Sequence, residues 1–326
     1  MVHTSLVYLA AEALGQALAV PPVGHHLMPT SRMDKIKNMY AFEGFVYALD
    51  NCPSQQDMIS DFQRMKSKGA RNVITFDLCG DGKDTNFYGD VISAAGTAGL
   101  NAMPLVWTLL DDGQNFDDDV VPRIDAVTQA VINNPDPVLA VAMGDEPLYD
   151  DDFGSPDNLA KYIKRMKKAF SSAGLSDIPI SISDMAYGWQ NPSGDISNLV
   201  DTVDFFMIND FPYFAWDAED GGSDTSWNDF IGDINYFEGI ANGKPLLVTQ
   251  TGWPENRNEF APNSPKVVVS LEAEKGYWNL LDSHCEDFFK DKNIGWMWRS
   301  WDDSIDGWGV TKDGKDKWNF NARKTC

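Results

Sequence analysis

The chain has 326 residues, 43% of them hydrophobic and 23% charged, which is enough apolar material for one large core without a metal staple. Its 49 acidic side chains outnumber 26 basic ones, leaving a net charge of −23. That field repels phosphate backbones and argues against nucleic acid as a partner, while setting no barrier to a neutral polymer.

At the start, Leu6 to Val20 is mostly apolar and Ala17-Leu18-Ala19 forms a small-x-small cleavage signal. Residues 1–19 are therefore expected to be a signal peptide, although Glu12 interrupts the apolar run and no Lys or Arg precedes it. Export is the expectation, to the extracellular space or the cell wall. No other segment carries the roughly 20 apolar residues of a membrane span, so no membrane association is expected. Residues 20–41 carry Pro, His and Met with no period and read as a linker. Residues 42–326 read as one domain, expected to be a monomer.

From Phe42 a rhythm begins. Gly44 to Leu49 is a predicted strand, and Gln56 to Lys68 a helix with Met58, Phe62 and Met65 on one face. Strands follow at Asn72–Phe76, Ala102–Trp107, Val138–Met143, Ile178–Ser183, Asp204–Ile208, Leu246–Thr249 and Ile294–Trp298. Helices are predicted at Phe87–Ala98, Val120–Ile132, Leu159–Ala173, Trp227–Ile240 and Ser270–Lys290, with Gly99 and Gly174 as stop signals. Eight short strands, apolar along their whole length, point to a parallel sheet buried on both faces. Alternation with helices makes the fold class α/β, a single (β/α)8 TIM barrel. An open doubly wound sheet is the alternative. It usually carries a Gly-rich phosphate loop, and Gly80-Asp-Gly82 lacks the third glycine, Thr standing at 85.

Four cysteines in an exported chain suggest two disulfides. Cys52 and Cys79 follow the first two strands, whose ends are neighbours in a barrel. Cys285 lies on the helix before the eighth strand, within reach of Cys326. The expected pairs are Cys52–Cys79 and Cys285–Cys326.

Barrel proteins build their sites from residues just after each strand. Here these are Trp107 after the third and Gly144-Asp-Glu-Pro147 after the fourth. Asp184, Tyr187 and Trp189 follow the fifth, and Asn209-Asp-Phe-Pro-Tyr-Phe214 the sixth. Gln250-Thr-Gly-Trp-Pro-Glu255 follows the seventh, and Arg299-Ser-Trp-Asp302 the eighth. Aromatic faces stack on sugar rings and polar groups between them bond hydroxyls. Asp145, Trp107, Tyr187, Trp189, Asn209, Tyr213, Trp253, Trp301 and Asp302 are the candidate sugar-binding residues, with Trp216 in the same aromatic set. Core filling is the plain alternative for any Trp and the stronger one for Trp296 and Trp298, whereas the loop-end set of Trp107, Trp189, Trp216, Trp253 and Trp301 points to a sugar groove. The four histidines, His3, His25, His26 and His284, avoid the strand ends, so no metal site and no cofactor is expected.

On the motif Thr249-x-Thr-Gly-Trp-Pro254 and the tail Trp298-Arg-Ser-Trp-Asp-Asp-Ser-Ile-Asp-Gly-Trp-Gly309, the chain from Phe42 onward resembles the clan A glycoside hydrolases, and among them the family 17 β-1,3-glucanases and glucanosyltransferases. The resemblance implies a secreted barrel that cleaves or transfers β-1,3-glucan with retention, a β-glucan chain as its partner, and Glu146 as acid/base. It places the nucleophile at position 250, where this chain has Gln250, and an Asn at position 145, where it has Asp145. An amide is a very poor nucleophile. Three explanations stay open: an inactive β-glucan-binding relative, a trapping substitution, or another carboxylate taking over, with Asp210, Asp302 and Glu255 as candidates. An unrelated barrel enzyme using a carboxylate-bound metal is the remaining alternative.

Overall fold

The computed structural model describes residues 30–326, so the expected signal peptide and the first part of the expected linker lie outside the described residues. Strand β1 is Ala41–Ala48, β2 Asn72–Phe76, β3 Asn101–Met103 and β4 Leu105–Val106. Then come β5 Val141–Asp145, β6 Ile180–Met185, β7 Phe206–Asn209, β8 Leu246–Thr251 and β9 Gly295–Trp298. They form one sheet in the order β3-β2-β1-β9-β8-β7-β6-β5-β4, every pairing parallel.

The two ends of that order are one stave. Pro104 lacks an N–H and interrupts the ladder between β3 and β4. Its carbonyl still accepts from Ala142 N at 3.1 Å. Because β3 pairs β2 and β4 pairs β5, the sheet closes into eight staves, the expected (β/α)8 barrel. The strands are nearly all buried because both faces are covered, which is why they read as unbroken apolar runs.

The outer ring is made by α2 Gln55–Ser67, α3 Thr85–Ala98, α4 Val121–Asn133, α5 Pro156–Ser172, α8 Asp224–Ile240 and α9 Leu271–Ser283. On α5 the buried Leu159, Ala160, Ile163, Met166 and Phe170 recur at helical spacing, and the Ser155 side chain caps its start. The long helix expected to reach Lys290 ends earlier. After α9 the chain makes a π-turn at Cys285–Phe289 and a last turn, α10 Lys290–Lys292. Two short helices not foreseen, α6 Ala186–Gln190 and α7 Ser197–Thr202, fill the connection from β6 to β7.

The expected linker needs correction where it is described. Arg32–Lys37 is a helix, α1, capped by Ser31, and it buries Ile36. Arg32 donates to the carbonyls of Val138 and Pro135, which precede β5, so α1 covers the N-terminal end of the barrel. Both expected disulfides are present. Cys52–Cys79 ties the loops after β1 and β2, and Cys285–Cys326 anchors the tail. That tail packs Phe320 on Trp278 and donates Ala322 N to Lys68 O.

Candidate active site

The C-terminal ends of β5 to β8 bring four polar side chains to one level. Asp145 is in register with Ser183, and Asn209 with Gln250. Ser183 Oγ donates to Asn209 Oδ1 at 2.7 Å, which turns the Asn209 amide so that Nδ2 faces the carboxylates. Asn209 Nδ2 then donates to Asp145 Oδ1 at 3.1 Å and to Glu146 Oε1 at 3.0 Å. Gln250 Nε2 donates to Asp145 Oδ1, and Arg299 Nη1 donates to Gln250 Oε1 at 3.0 Å. The Gln250 amide therefore has only one orientation that matches donor to acceptor at both ends. The Arg299 guanidinium lies 4.1 Å from the centre of the Phe76 ring and 5.7 Å from that of Phe211, so both rings pack on it.

The backbone at Glu146 is unusual. Gly144 has φ 94° and Glu146 φ 55°. A Cβ at Gly144 would lie 2.8 Å from the Pro147 side chain and from Thr108 Oγ1, so only glycine fits. Glu146, a non-glycine residue in the left-handed region, is held there by its N–H on Ser183 O and its carbonyl on Asp150 N. Buried Asp184 fixes the next residues by accepting from Leu148 N at 2.7 Å and Met185 N at 2.8 Å.

Burial pushes the Glu146 carboxyl up to about 7, and the neighbouring Asp145 charge adds to the rise. Asp145 is also raised by burial, but the Arg299 charge and the Asn209 and Gln250 hydrogen bonds pull it back. Burial and the Asp145 charge therefore favour the protonated form of Glu146.

These groups open into a cleft of about 970 Å³. Its walls are aromatic, from Phe76, Trp107, Tyr187, Phe211, Phe214, Trp216 and Trp308, with Asp145, Glu146, Asn209, Asp210 and Arg299 between them. Trp216 is 82% exposed and Tyr187 60%, so flat apolar faces are offered to a ligand. Among the described residues, no group of His, Cys, Asp or Glu is arranged to hold a metal ion.

Several expected sugar-binding residues lie elsewhere. Trp189 is buried against Phe206 and Phe237 behind the sheet. Tyr213 and Trp253 are buried against each other, bonded to Phe260 O and Val268 O. Trp301 is buried on Phe45 with Arg64 over its ring. Asp302 caps its own loop through Ser304 and does not line the cleft. Gln250 is 0% exposed and sits behind Asp145. Of the substitute carboxylates, Glu255 is paired to Lys317 and Lys312, whereas Asp210 lines the cleft with Oδ2 unpartnered. Phe76 was read only as the end of a strand, Phe211 and Phe214 only as residues after the sixth strand, and Trp308 only as part of the tail motif, none with a role in the cleft. Arg299 was named only as the first residue after the last strand, with no role.

A strand-end cleft with paired carboxyls and aromatic walls is suited to holding a sugar chain. Residues 43–303 match the BtgE/BtgC glycoside hydrolase domain. The chain belongs to this family. Among curated relatives, the "Probable glucan endo-1,3-beta-glucosidase" of Aspergillus oryzae is 26% identical over 78% of this chain and 56% of its own length. A "Glucan 1,3-beta-glucosidase" of Arthroderma benhamiae is 24% identical, covering 83% of this chain and 86% of that protein. The chain spans about half the length of most of these relatives. The glycoside hydrolase family 17 β-1,3-glucanosyltransferase of Rhizomucor miehei superposes with a TM-score of 0.68 at 25% identity, covering 87% of this chain and 98% of that one. An active-site mutant of the same enzyme, solved in complex with laminaritriose, superposes with a TM-score of 0.67.

Proposed function

We propose that this protein binds β-1,3-glucan in the cleft and cleaves or transfers it, with Glu146 as the acid that protonates the leaving oxygen. One observation carries the reading. Glu146 stands at the end of β5 in an aromatic-walled cleft, bonded to Asn209 and held protonated near neutrality by burial and by Asp145. Support for the substrate comes from the family and from relatives named for β-1,3-glucan. The reading extends to an exported protein acting as a monomer on extracellular or cell-wall glucan.

Gln250 supports a second reading, a glucan-binding protein without turnover. Both ends of its amide are already bonded, and it presents no charge to an oxocarbenium ion.

The substrate reading is tested by calorimetric titration with β-1,3- and β-1,4-linked gluco-oligosaccharides of equal length. Binding of the β-1,3 series, weakened at least ~10-fold by Trp107→Ala or Tyr187→Ala, is the expected result. Equal binding of both series, or none, would remove it.

A further inference from the structure

The missing carboxylate at position 250 has a counterpart at position 145. The family resemblance calls for an amide at 145 and a carboxylate at 250, and this chain has Asp145 and Gln250. These two side chains are bonded to each other through Gln250 Nε2 and Asp145 Oδ1. One carboxylate and one amide are still present, with the members exchanged. Their surroundings differ. Gln250 is fully buried and its Oε1 is taken by Arg299, while Asp145 is partly exposed and lines the cleft. The charge that a bound sugar would meet belongs to Asp145.

We propose that Asp145 is the second catalytic carboxylate of this protein, acting as nucleophile in a retaining displacement with Glu146 as acid/base. This rests on the glycan-cleaving reading above. Asn209 Nδ2 bonds Asp145 Oδ1 at 3.1 Å and Glu146 Oε1 at 3.0 Å. The two oxygens therefore sit within roughly 6 Å, short of the ~6.5–9.5 Å an inverting pair needs to admit water between them. The donors divide the roles. Both carboxyls lie in the field of Arg299, but Asp145 receives two amide hydrogen bonds, whereas Glu146 receives one and faces the Asp145 charge. An ionised Asp145 beside a protonated Glu146 is the starting state that the displacement requires.

In the first step an Asp145 carboxylate oxygen bonds to the anomeric carbon as the glycosidic C–O bond breaks. The Glu146 proton moves to the departing oxygen, so the released chain leaves as an alcohol. In the second step water, or a hydroxyl of another glucan, attacks the anomeric carbon and gives its proton to Glu146. The bond to Asp145 breaks, and both carboxyls return to their starting states.

The wild-type protein is incubated with a 2-deoxy-2-fluoro β-1,3-linked glucosyl disaccharide fluoride, then digested and mapped by mass spectrometry. The expected result is one 2-fluoro-disaccharide, its anomeric fluoride lost, bonded to the Asp145 side chain as located by fragmentation of the peptide, and absent from Asp145→Asn. Cleavage of a β-1,3-linked oligosaccharide is followed in parallel. Asp145→Asn should lose ~10³-fold, and Gln250→Glu alone, which sets two carboxylates in contact, should lose at least ~10-fold. The double variant Asp145→Asn/Gln250→Glu should regain at least ~100-fold over Asp145→Asn. Oligosaccharide titration shows that each variant is folded. A label on another residue, turnover retained in Asp145→Asn, or a wild type that binds glucan with neither label nor turnover would overturn the Asp145 assignment and leave the glucan cleft standing. A wild type that binds no glucan would remove both.

Discussion

Asp145 and Glu146 share a single donor, the Nδ2 of Asn209, and that sharing sets their chemistry. Two carboxyls this close cannot both ionise cheaply, so the one with more donors takes the charge and the other keeps the proton. Glu146 lies at about 7 for two reasons, burial first and the Asp145 charge second. Removing that charge in Asp145→Asn lowers the Glu146 value, while the burial contribution remains. An NMR titration of the Glu146 carboxyl carbon should show its midpoint moving to lower pH in the variant. An unmoved midpoint would mean that the two groups do not interact. If Glu146 acts as the acid, turnover falls above about pH 7 by roughly tenfold per unit, because only the protonated form can donate. The rate profile of the wild type checks this.

At the scale of elements, the site is held by how β5 ends. Gly144 and Glu146 both take positive φ, and the β6 residues Ser183 and Asp184 bond the backbone on either side of Pro147. Gly144→Ala would place a methyl 2.8 Å from Pro147 and Thr108 at a backbone angle that disfavours any Cβ. The expected cost is about 1–3 kcal/mol, with glucan binding and turnover lost together as Glu146 shifts. Denaturant unfolding and an oligosaccharide titration measure both; wild-type values in this variant would show that the turn does not position the acid. Strands and ring helices were legible because burial on both faces leaves continuous apolar runs, and the strand-end rule found Glu146, Asp145, Asn209 and Trp107. The same rule misplaced Trp189, Tyr213, Trp253 and Trp301. Position after a strand says how far along the barrel a residue sits, but not whether its side chain turns into the cleft or back onto the helices. Each of those rings lies among other aromatic side chains, a partnership set by tertiary packing alone. Helix α1 was missed because six residues are too few for a period, although Ser31 and Asp34 carry its cap.

Across the whole molecule, many carboxyls are buried in a chain of net charge −23. Burial raises Glu43 and Asp152 to about 7 and Asp229, Asp233 and Asp282 to about 6, and it holds Asp184 and Asp210 well above the carboxylate range. Each folded value exceeds the unfolded one, so these groups stabilise the fold fully below about pH 4 and lose that contribution as pH rises through about 7. Scanning calorimetry should find Tm falling between pH 5 and pH 8, and a rise over that range would contradict the burial assigned to them. The same burial of charge recurs at the centre of the cleft, where it serves the proposed chemistry. The proposed cleavage of β-1,3-glucan with Glu146 as the acid is tested by product analysis of a β-1,3-linked gluco-oligosaccharide incubated with the wild type and with Glu146→Gln. The expected result is shorter or transferred products from the wild type and a loss of at least ~10³-fold in Glu146→Gln with binding intact. Products formed equally by both proteins, or by neither while both bind the oligosaccharide, would contradict it.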